Sequence, residues 1–242
     1  NSRFVVIWSR CDVQVYSTGS NEIKAYSDFP FEAQDVALYE ESLFLAHGND
    51  LIVTDLMGVQ RLSIRFADDE GSPKLLSITS HYLVVSTTCG YINLMDVSKK
   101  EPISVRNPVK IVDRGSGPHM KYIQSARCNA NGSIISMTSS DEINVSVAET
   151  PDPHLYFFDM SSDHLWKSQI LEDYFPVLHV WDVAEPKLLA CELQPGLASR
   201  DSEHKFVTLF VAEDGTAHVH KVVTISSHGT FLIGVDVPRM IS

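Results

Sequence analysis

Positive charge is scarce in this chain of 242 residues, with 19 Lys and Arg against 31 Asp and Glu and a formal net charge of −12. A protein that grips phosphate backbones needs a basic stripe, and the longest cluster here is Lys99-Lys100. Nucleic acid and anionic membrane are therefore excluded as first-choice partners, whereas the acidic balance suits solubility and a basic protein partner. Cysteine is equally sparse. Cys11, Cys89, Cys128 and Cys191 lie far apart with no CxxC pair, and each sits in or beside an apolar or small-residue stretch. That usage reads as reduced thiols of a cytosolic protein, and a disulfide framework would be unusual at this density. No run of roughly 18 apolar residues exists to cross a membrane as a helix. The sequence begins Asn1-Ser2-Arg3 without an initiator Met or the basic-then-apolar pattern of a signal peptide. It reads as one domain spanning 1–242, cut from a larger multidomain protein. Motifs for local chemistry are missing too. There is no GxxxxGK[ST], no GxGxxG between strand and helix, and no GxSxG. No catalytic residue, cofactor site or metal site is assigned. Carboxylates brought together from distant segments would leave no such motif, so an enzyme is disfavoured on this ground and not eliminated.

What the chain has is strands. Hydrophobic residues make up 44% and charged residues 21%, a composition that folds. The dominant pattern is a recurring hairpin. Phe4-Val5-Val6-Ile7-Trp8 turns at Ser9 to Asp12 into Val13-Gln14-Val15-Tyr16. Leu43-Phe44-Leu45-Ala46 turns at His47 to Asp50 into Leu51-Ile52-Val53-Thr54-Asp55, and Tyr82 to Ser86 turns into Tyr91 to Asp96. Each run is short, rich in β-branched and aromatic residues, and closed by Gly, Asn or Asp. Val5, Phe44 and Val84 are spaced by roughly 40 residues, the period of a four-stranded propeller blade. Middle strands of a blade are buried on both faces, which explains apolar runs that do not alternate. About six blade units are expected by this period.

Later units are stretched. Tyr122 to Ala126 leads through the turn Asn129-Ala130-Asn131-Gly132 into Ser133 to Met137, with a polar insertion from Ser139 to Pro153 before Leu155 to Asp159. A fifth unit holds Val180-Trp181-Asp182 and Lys187 to Cys191. A sixth pairs Phe206 to Phe210 with Ala217 to His220 across Glu213-Asp214-Gly215. No outer strand is evident after Asp159. Leu165 to Tyr174 reads either as a short amphipathic helix, with Leu165, Trp166, Ile170 and Leu171 on one side, or as an aromatic-packed loop. Gly115 to Met120 reads either as a native loop or as a cloning scar.

The residues singled out are few. An Asp closing a third strand can accept bonds from the adjoining turn, and Asp55, Asp96, Asp159 and Asp182 stand at such positions. Trp181-Asp182 is the Trp-Asp dipeptide of WD repeats. Phe29, Phe31, Trp166 and Phe175 lie in connections, where they either pack beneath loops or anchor a partner. His218 and His220 share a strand face, the start of a zinc site only if His204 or His228 converges on them; a solvated strand is the plainer reading. Asp68-Asp69-Glu70-Gly71 lacks calcium-loop spacing. Asn131-Gly132-Ser133 and Asn144-Val145-Ser146 match the glycosylation pattern incidentally.

The segment Tyr174-Phe175-Pro176-Val177-Leu178-His179-Val180-Trp181-Asp182, continuing to Cys191-Glu192, resembles the second of two tandem WD-repeat propellers in the intraflagellar transport protein 140 family. Tyr82 to Val85, Met95 to Lys100, Tyr156 to Met160 and Leu232 to Pro238 agree in the same order. The resemblance implies a non-enzymatic scaffold in intraflagellar transport complex A, serving retrograde ciliary transport and cargo entry. It implies other complex A subunits and cargo or adaptor proteins as partners. It also implies a location on the cytoplasmic side of the cilium or flagellum and at the basal body, without membrane insertion. It carries over no catalytic residue. The family has a longer segment between the strands matching Tyr156–Asp159 and Tyr174, so residues around Ser162 are expected to be missing here. The alternatives are a vesicle-coat-like trafficking propeller and, less favoured, a propeller hydrolase with a metal at His218 and His220.

Overall fold

The computed structural model describes residues 3–20, 22–112, 120, 122–140, 152–196, 203–212, 216–225 and 232–236. They form 21 strands and no helix, in two compact units, Asn1–Val112 and Asp113–Ser242. Gly115 to His119, Glu213 to Gly215, Asn144 and His228 fall outside the described residues.

Unit one holds three antiparallel sheets, each a meander in chain order. The first is β1 (Phe4–Trp8), β2 (Asp12–Ser20) and β3 (Glu22–Pro30). The second is β4 (Asp35–Tyr39), β5 (Ser42–His47), β6 (Asp50–Asp55) and β7 (Gln60–Arg65). The third is β8 (Pro73–Thr79), β9 (Tyr82–Thr87) and β10 (Tyr91–Asp96), with the two-residue strands β11 (Ile103–Ser104) and β12 (Val109–Lys110) both paired to β10.

The unalternated apolar runs are explained by the second sheet. Leu43 and Leu45 of β5 and Ile52 of β6 face one core with Val13, Val15, Val36 and Leu56. Phe44 and Ala46 of β5 and Leu51 and Val53 of β6 face another, with Leu76, Leu83, Val85 and Met95. Successive side chains of a strand point to opposite faces, so a sheet covered on both sides must be apolar at both parities. A polar staple joins the second and third sheets at their first strands. Asp35 opens β4, and its Oδ2 accepts from the backbone N–H of Leu76 in β8 at 2.7 Å while Oδ1 accepts from Val36 N–H at 2.8 Å.

The turn after β6 is fixed by a close approach. Gly58 has φ +82°, and a Cβ there would lie 2.6 Å from the Phe29 ring. Gly58→Ala therefore combines left-handed strain with a clash against a packed aromatic. Its expected cost is about 2 kcal/mol in urea unfolding. In a Phe29→Ala background the same substitution should cost less, because only the backbone strain remains. Equal costs in the two backgrounds would show that Phe29 does not rest on the glycine.

Unit two holds two sheets. The fourth is β13 (Tyr122–Cys128), β14 (Ile134–Ser140), β15 (His154–Asp159) and β16 (Leu165–Gln169). The fifth is β17 (Tyr174–Trp181), β18 (Leu188–Pro195), β19 (Lys205–Val211), β20 (Ala217–Ile225) and β21 (Leu232–Asp236). Their common core includes Leu155, Phe157, Trp181, Leu189, Leu193, Val207 and Leu209.

Three expectations change here. Leu165–Gln169 is neither helix nor loop but the outer strand of the fourth sheet, paired with β15 through Phe157 opposite Trp166. The outer strand that seemed absent after Asp159 is thus supplied without further residues. The fifth and sixth expected units merge into one five-stranded sheet, so the described residues hold five sheets instead of six.

Candidate functional site

The four Asp residues all act as turn acceptors. Asp55 Oδ1 accepts from the N–H groups of Met57 (2.9 Å) and Val59 (3.0 Å). Asp96 Oδ1 accepts from Ser98 N–H (2.9 Å), and the Ser98 hydroxyl and amide hold its carboxyl below the usual range. Asp159 Oδ1 accepts from Ser161 N–H and Oγ, both at 2.7 Å. Burial alone would raise its carboxyl, but the donors from Ser161 and Ser162 outweigh that and hold it low. Asp182 Oδ1 accepts from Glu185 N–H (2.7 Å) and Ala184 N–H (2.8 Å), which depress it. Asp55, Asp96 and Asp159 end third strands. Asp182 does not, because it follows β17, the first strand of its sheet. The same local turn chemistry serves a different place in the sheet.

Trp181 is buried to 1% exposure, and its Nε1–H is shared between Ser136 Oγ (2.8 Å) and the Arg127 carbonyl (3.2 Å). Beside it on the same strand face, His179 is also buried. Its Nε2 lies 3.2 Å from the Ser136 carbonyl and its Nδ1 3.4 Å from Ser125 Oγ. Ser125 Oγ in turn lies 2.6 Å from Thr138 Oγ1. Burial, with the nearby Arg127 charge, pushes the imidazole down to about 3, so it is neutral. Asn129 adds a second tie. Its Oδ1 accepts from Ser133 N–H (2.9 Å) and Ile134 N–H (3.1 Å), and its Nδ2 donates to the Pro186 carbonyl (3.0 Å). The contacts of His179 and Trp181 and the Asn129–Pro186 bond span 43 to 57 residues in sequence, and no local motif announces them.

The four aromatics expected in connections are half-buried and packed on the protein itself, and Phe29, Trp166 and Phe175 stand in strands β3, β16 and β17 instead of in connections. Phe29 and Phe31 line the core between the first two sheets, and Phe31 also meets the His47 ring at 5.4 Å. Trp166 is sandwiched between Phe157 (5.4 Å) and His164 (5.7 Å). Phe175 covers Gly196, where a Cβ would stand 2.5 Å from its ring. Solvent-facing apolar side chains lie elsewhere, on strands. On the first sheet they are Val5, Ile7, Trp8, Tyr26 and Ile23, the last 74% exposed. On the fifth they are Val177, Leu178, Val180 and Phe210, with Val183 in the following turn. Sequence reasoning missed these because exposed and buried positions of a strand are both apolar here.

His218 and His220 are exposed on β20; His218 Nε2 meets Thr216 Oγ1 at 3.0 Å, while His204 Nδ1 pairs with Glu192 Oε1 at 2.8 Å. Among the described residues no three His, Cys, Asp or Glu converge as a metal site. Asp68 Oδ1 accepts from Asn49 Nδ2 at 3.3 Å in the loop before β8. Asn131 Oδ1 accepts from Ser133 N–H at 3.1 Å within its turn. No helix among the described residues is long and apolar enough to cross a membrane.

Antiparallel meander sheets of three to five strands, packed face to face within each unit and with Asp-closed third strands, define a β-propeller of the WD-repeat type. A family model for the IFT140 second beta-propeller matches residues 1–170, and the chain belongs to that family. The Tyr174–Glu192 segment lies beyond the matched residues. Solved structures agree in fold. The Cps50 (Swd1) beta-propeller domain of Myceliophteria thermophila is 10% identical, with 98% of this chain and 84% of that chain covered and a TM-score of 0.56. The hydrazine synthase of Kuenenia stuttgartiensis is 10% identical, at 92% and 70% coverage and 0.58. Hsv2 of Kluyvelomyces marxianus is 13% identical, at 93% and 75% and 0.52. Identities this low speak to fold alone.

Proposed function

We propose that this propeller is a non-enzymatic binding scaffold of the intraflagellar transport machinery. Its partners would be other complex A subunits and ciliary cargo or adaptor proteins, on the cytoplasmic side of the cilium and at the basal body. The observation that carries the reading is membership of the IFT140 second-propeller family. The surface fits it. Turns are stapled by buried or capped polar groups, so strands and loops present a rigid face, and exposed apolar residues are gathered on strands of the first and fifth sheets. Phe29, Phe31, Trp166 and Phe175 support that surface from beneath, and contact is assigned to the exposed residues Ile7, Ile23 and Tyr26 instead.

The test is recovery of partners from ciliated cells with the intact parent protein. Deleting the segment equivalent to 1–242 should lose complex A subunits. Ile7→Asp with Ile23→Asp should weaken recovery while leaving thermal stability within about 1 kcal/mol, as changes at exposed strand positions do. Full recovery with a folded deletion would move the assembly surface elsewhere in the protein.

A further inference from the structure

The buried face of β17 is chosen against its own hydrophobic pattern. Tyr174 and Pro176 point inward, and simple alternation would continue with Leu178 and Val180, both apolar and both suited to a core. The strand does otherwise. Its pairing with β18 shifts between Pro176 and Leu178, leaving Val177 as a bulge residue. That extra residue switches the parity, so His179 and Trp181 turn inward while Leu178 (45% exposed) and Val180 (48%) face solvent. Burial of Trp181 favours the bulged register by area, but the buried imidazole and the two exposed aliphatic side chains count against it, so area alone does not choose between the registers. The bulge also removes a ladder pairing.

Hydrogen bonds supply what burial does not. The Ser136 carbonyl only accepts, so His179 Nε2 carries the proton and Nδ1 accepts from the Ser125 hydroxyl. Thr138 Oγ1 is then left to donate to Ser125, and Trp181 Nε1–H donates to Ser136 Oγ. Every member has one direction in which to donate. Ser125 itself stands next to a register shift in β13, between Ile123 and Ser125, which matches the bulge of β17 with one on the facing sheet. We propose that this hydrogen-bond relay selects the bulged register of β17 over the unbulged alternative, in which Leu178 and Val180 would be buried. A buried polar group that fixes register at some cost in stability is a known device in coiled coils, and here it decides which side chains the strand shows to solvent.

Thiol labelling reads the register directly. Val180→Cys is introduced into the chain with the exposed Cys11 and Cys89 changed to Ser, while buried Cys128 and Cys191 report any unfolding. In this chain the introduced thiol should label as an exposed group. Adding Ser125→Ala and Ser136→Ala removes both serine hydroxyls of the relay while position 179 keeps its polar ring, and labelling at position 180 should fall about tenfold or more as that face turns inward. Cys128 and Cys191 should stay protected. An unchanged rate at position 180 in that folded variant would overturn the proposal. If that variant unfolds, exposing Cys128 and Cys191, the decision passes to nitrogen chemical shifts of His179 in the native chain. A neutral Nε2–H tautomer is expected, with the Nδ1 resonance moving on Ser125→Ala as that nitrogen loses its donor. An Nδ1–H tautomer, or an Nδ1 resonance indifferent to Ser125, would overturn the relay.

Discussion

Phe157→Ala is expected to cost unit two about 3–5 kcal/mol, a large share of the roughly 5–15 kcal/mol that holds a domain of ordinary stability. Phe157 is fully buried and touches both tryptophans of its unit, stacking on Trp166 at 5.4 Å and meeting Trp181 edge-on at 6.5 Å. The loss has three parts: the apolar area withdrawn, the cavity left behind, and the aromatic contacts, worth about 1 kcal/mol each beyond area. Strand pairing around the cavity limits its collapse, since Phe157 lies opposite both Ser136 and Trp166 in the ladder. Urea unfolding followed by tryptophan emission should show a lower midpoint with little change in slope. Phe157→Leu should recover more than half of the loss. A midpoint shift under about 1 kcal/mol for Phe157→Ala would mean that the fourth and fifth sheets are not held by this core.

The same residues show why parts of the fold were legible in the sequence and others were not. The hairpins β1–β2, β5–β6 and β9–β10 are local: a run of β-formers, a short turn and another run. The Asp turns are local too, each reaching two to four residues onward. Their chemistry can be read without knowing which strand precedes them, and for that reason the Trp181-Asp182 dipeptide does not reveal that β17 comes first in its sheet. Leu165–Gln169 misleads because Leu165, Trp166, Ile170 and Leu171 also fit one side of a helix; pairing with β15 decides the matter, and that is tertiary information. The aromatics were misplaced for a related reason. Phe29 looks like a loop residue but stands near the end of β3, opposite Val13 of β2, and rests on Gly58 in the turn after β6. The exposed strand residues and the Ser125–His179 relay were beyond reach, since parity is set by bulges that leave no mark in composition.

Acid should weaken unit two well before its carboxylates titrate. His179 is held neutral in the fold at about 3, mainly by burial and then by the Arg127 charge, whereas in the unfolded chain it ionises near the ordinary 6.5. The folded value is the lower one, so the unfolded state binds the extra proton as pH falls. Stability from this group is therefore complete above about pH 6.5 and is lost progressively as pH drops toward 3, at about 1.4 kcal/mol per pH unit. The groups around His179 do not mask the slope. Arg127 stays charged throughout, Ser125, Ser136 and Thr138 do not ionise, and Cys191, opposite His179 on β18, is pushed up to about 12 by burial. The carboxyls of Asp96, Asp152, Asp159 and Asp182 are all held below their usual range. Their contributions are lost only as pH falls through those lowered values, below about 4. Urea midpoints measured from pH 7 to pH 4 should thus fall by an amount on the order of 3 kcal/mol. His179→Gln, which keeps a donor and an acceptor but cannot take a proton, should start lower at pH 7 and show a nearly flat profile to pH 4. A wild-type profile equally flat over that window would mean that water reaches the imidazole, and that its burial is not the source of the strain.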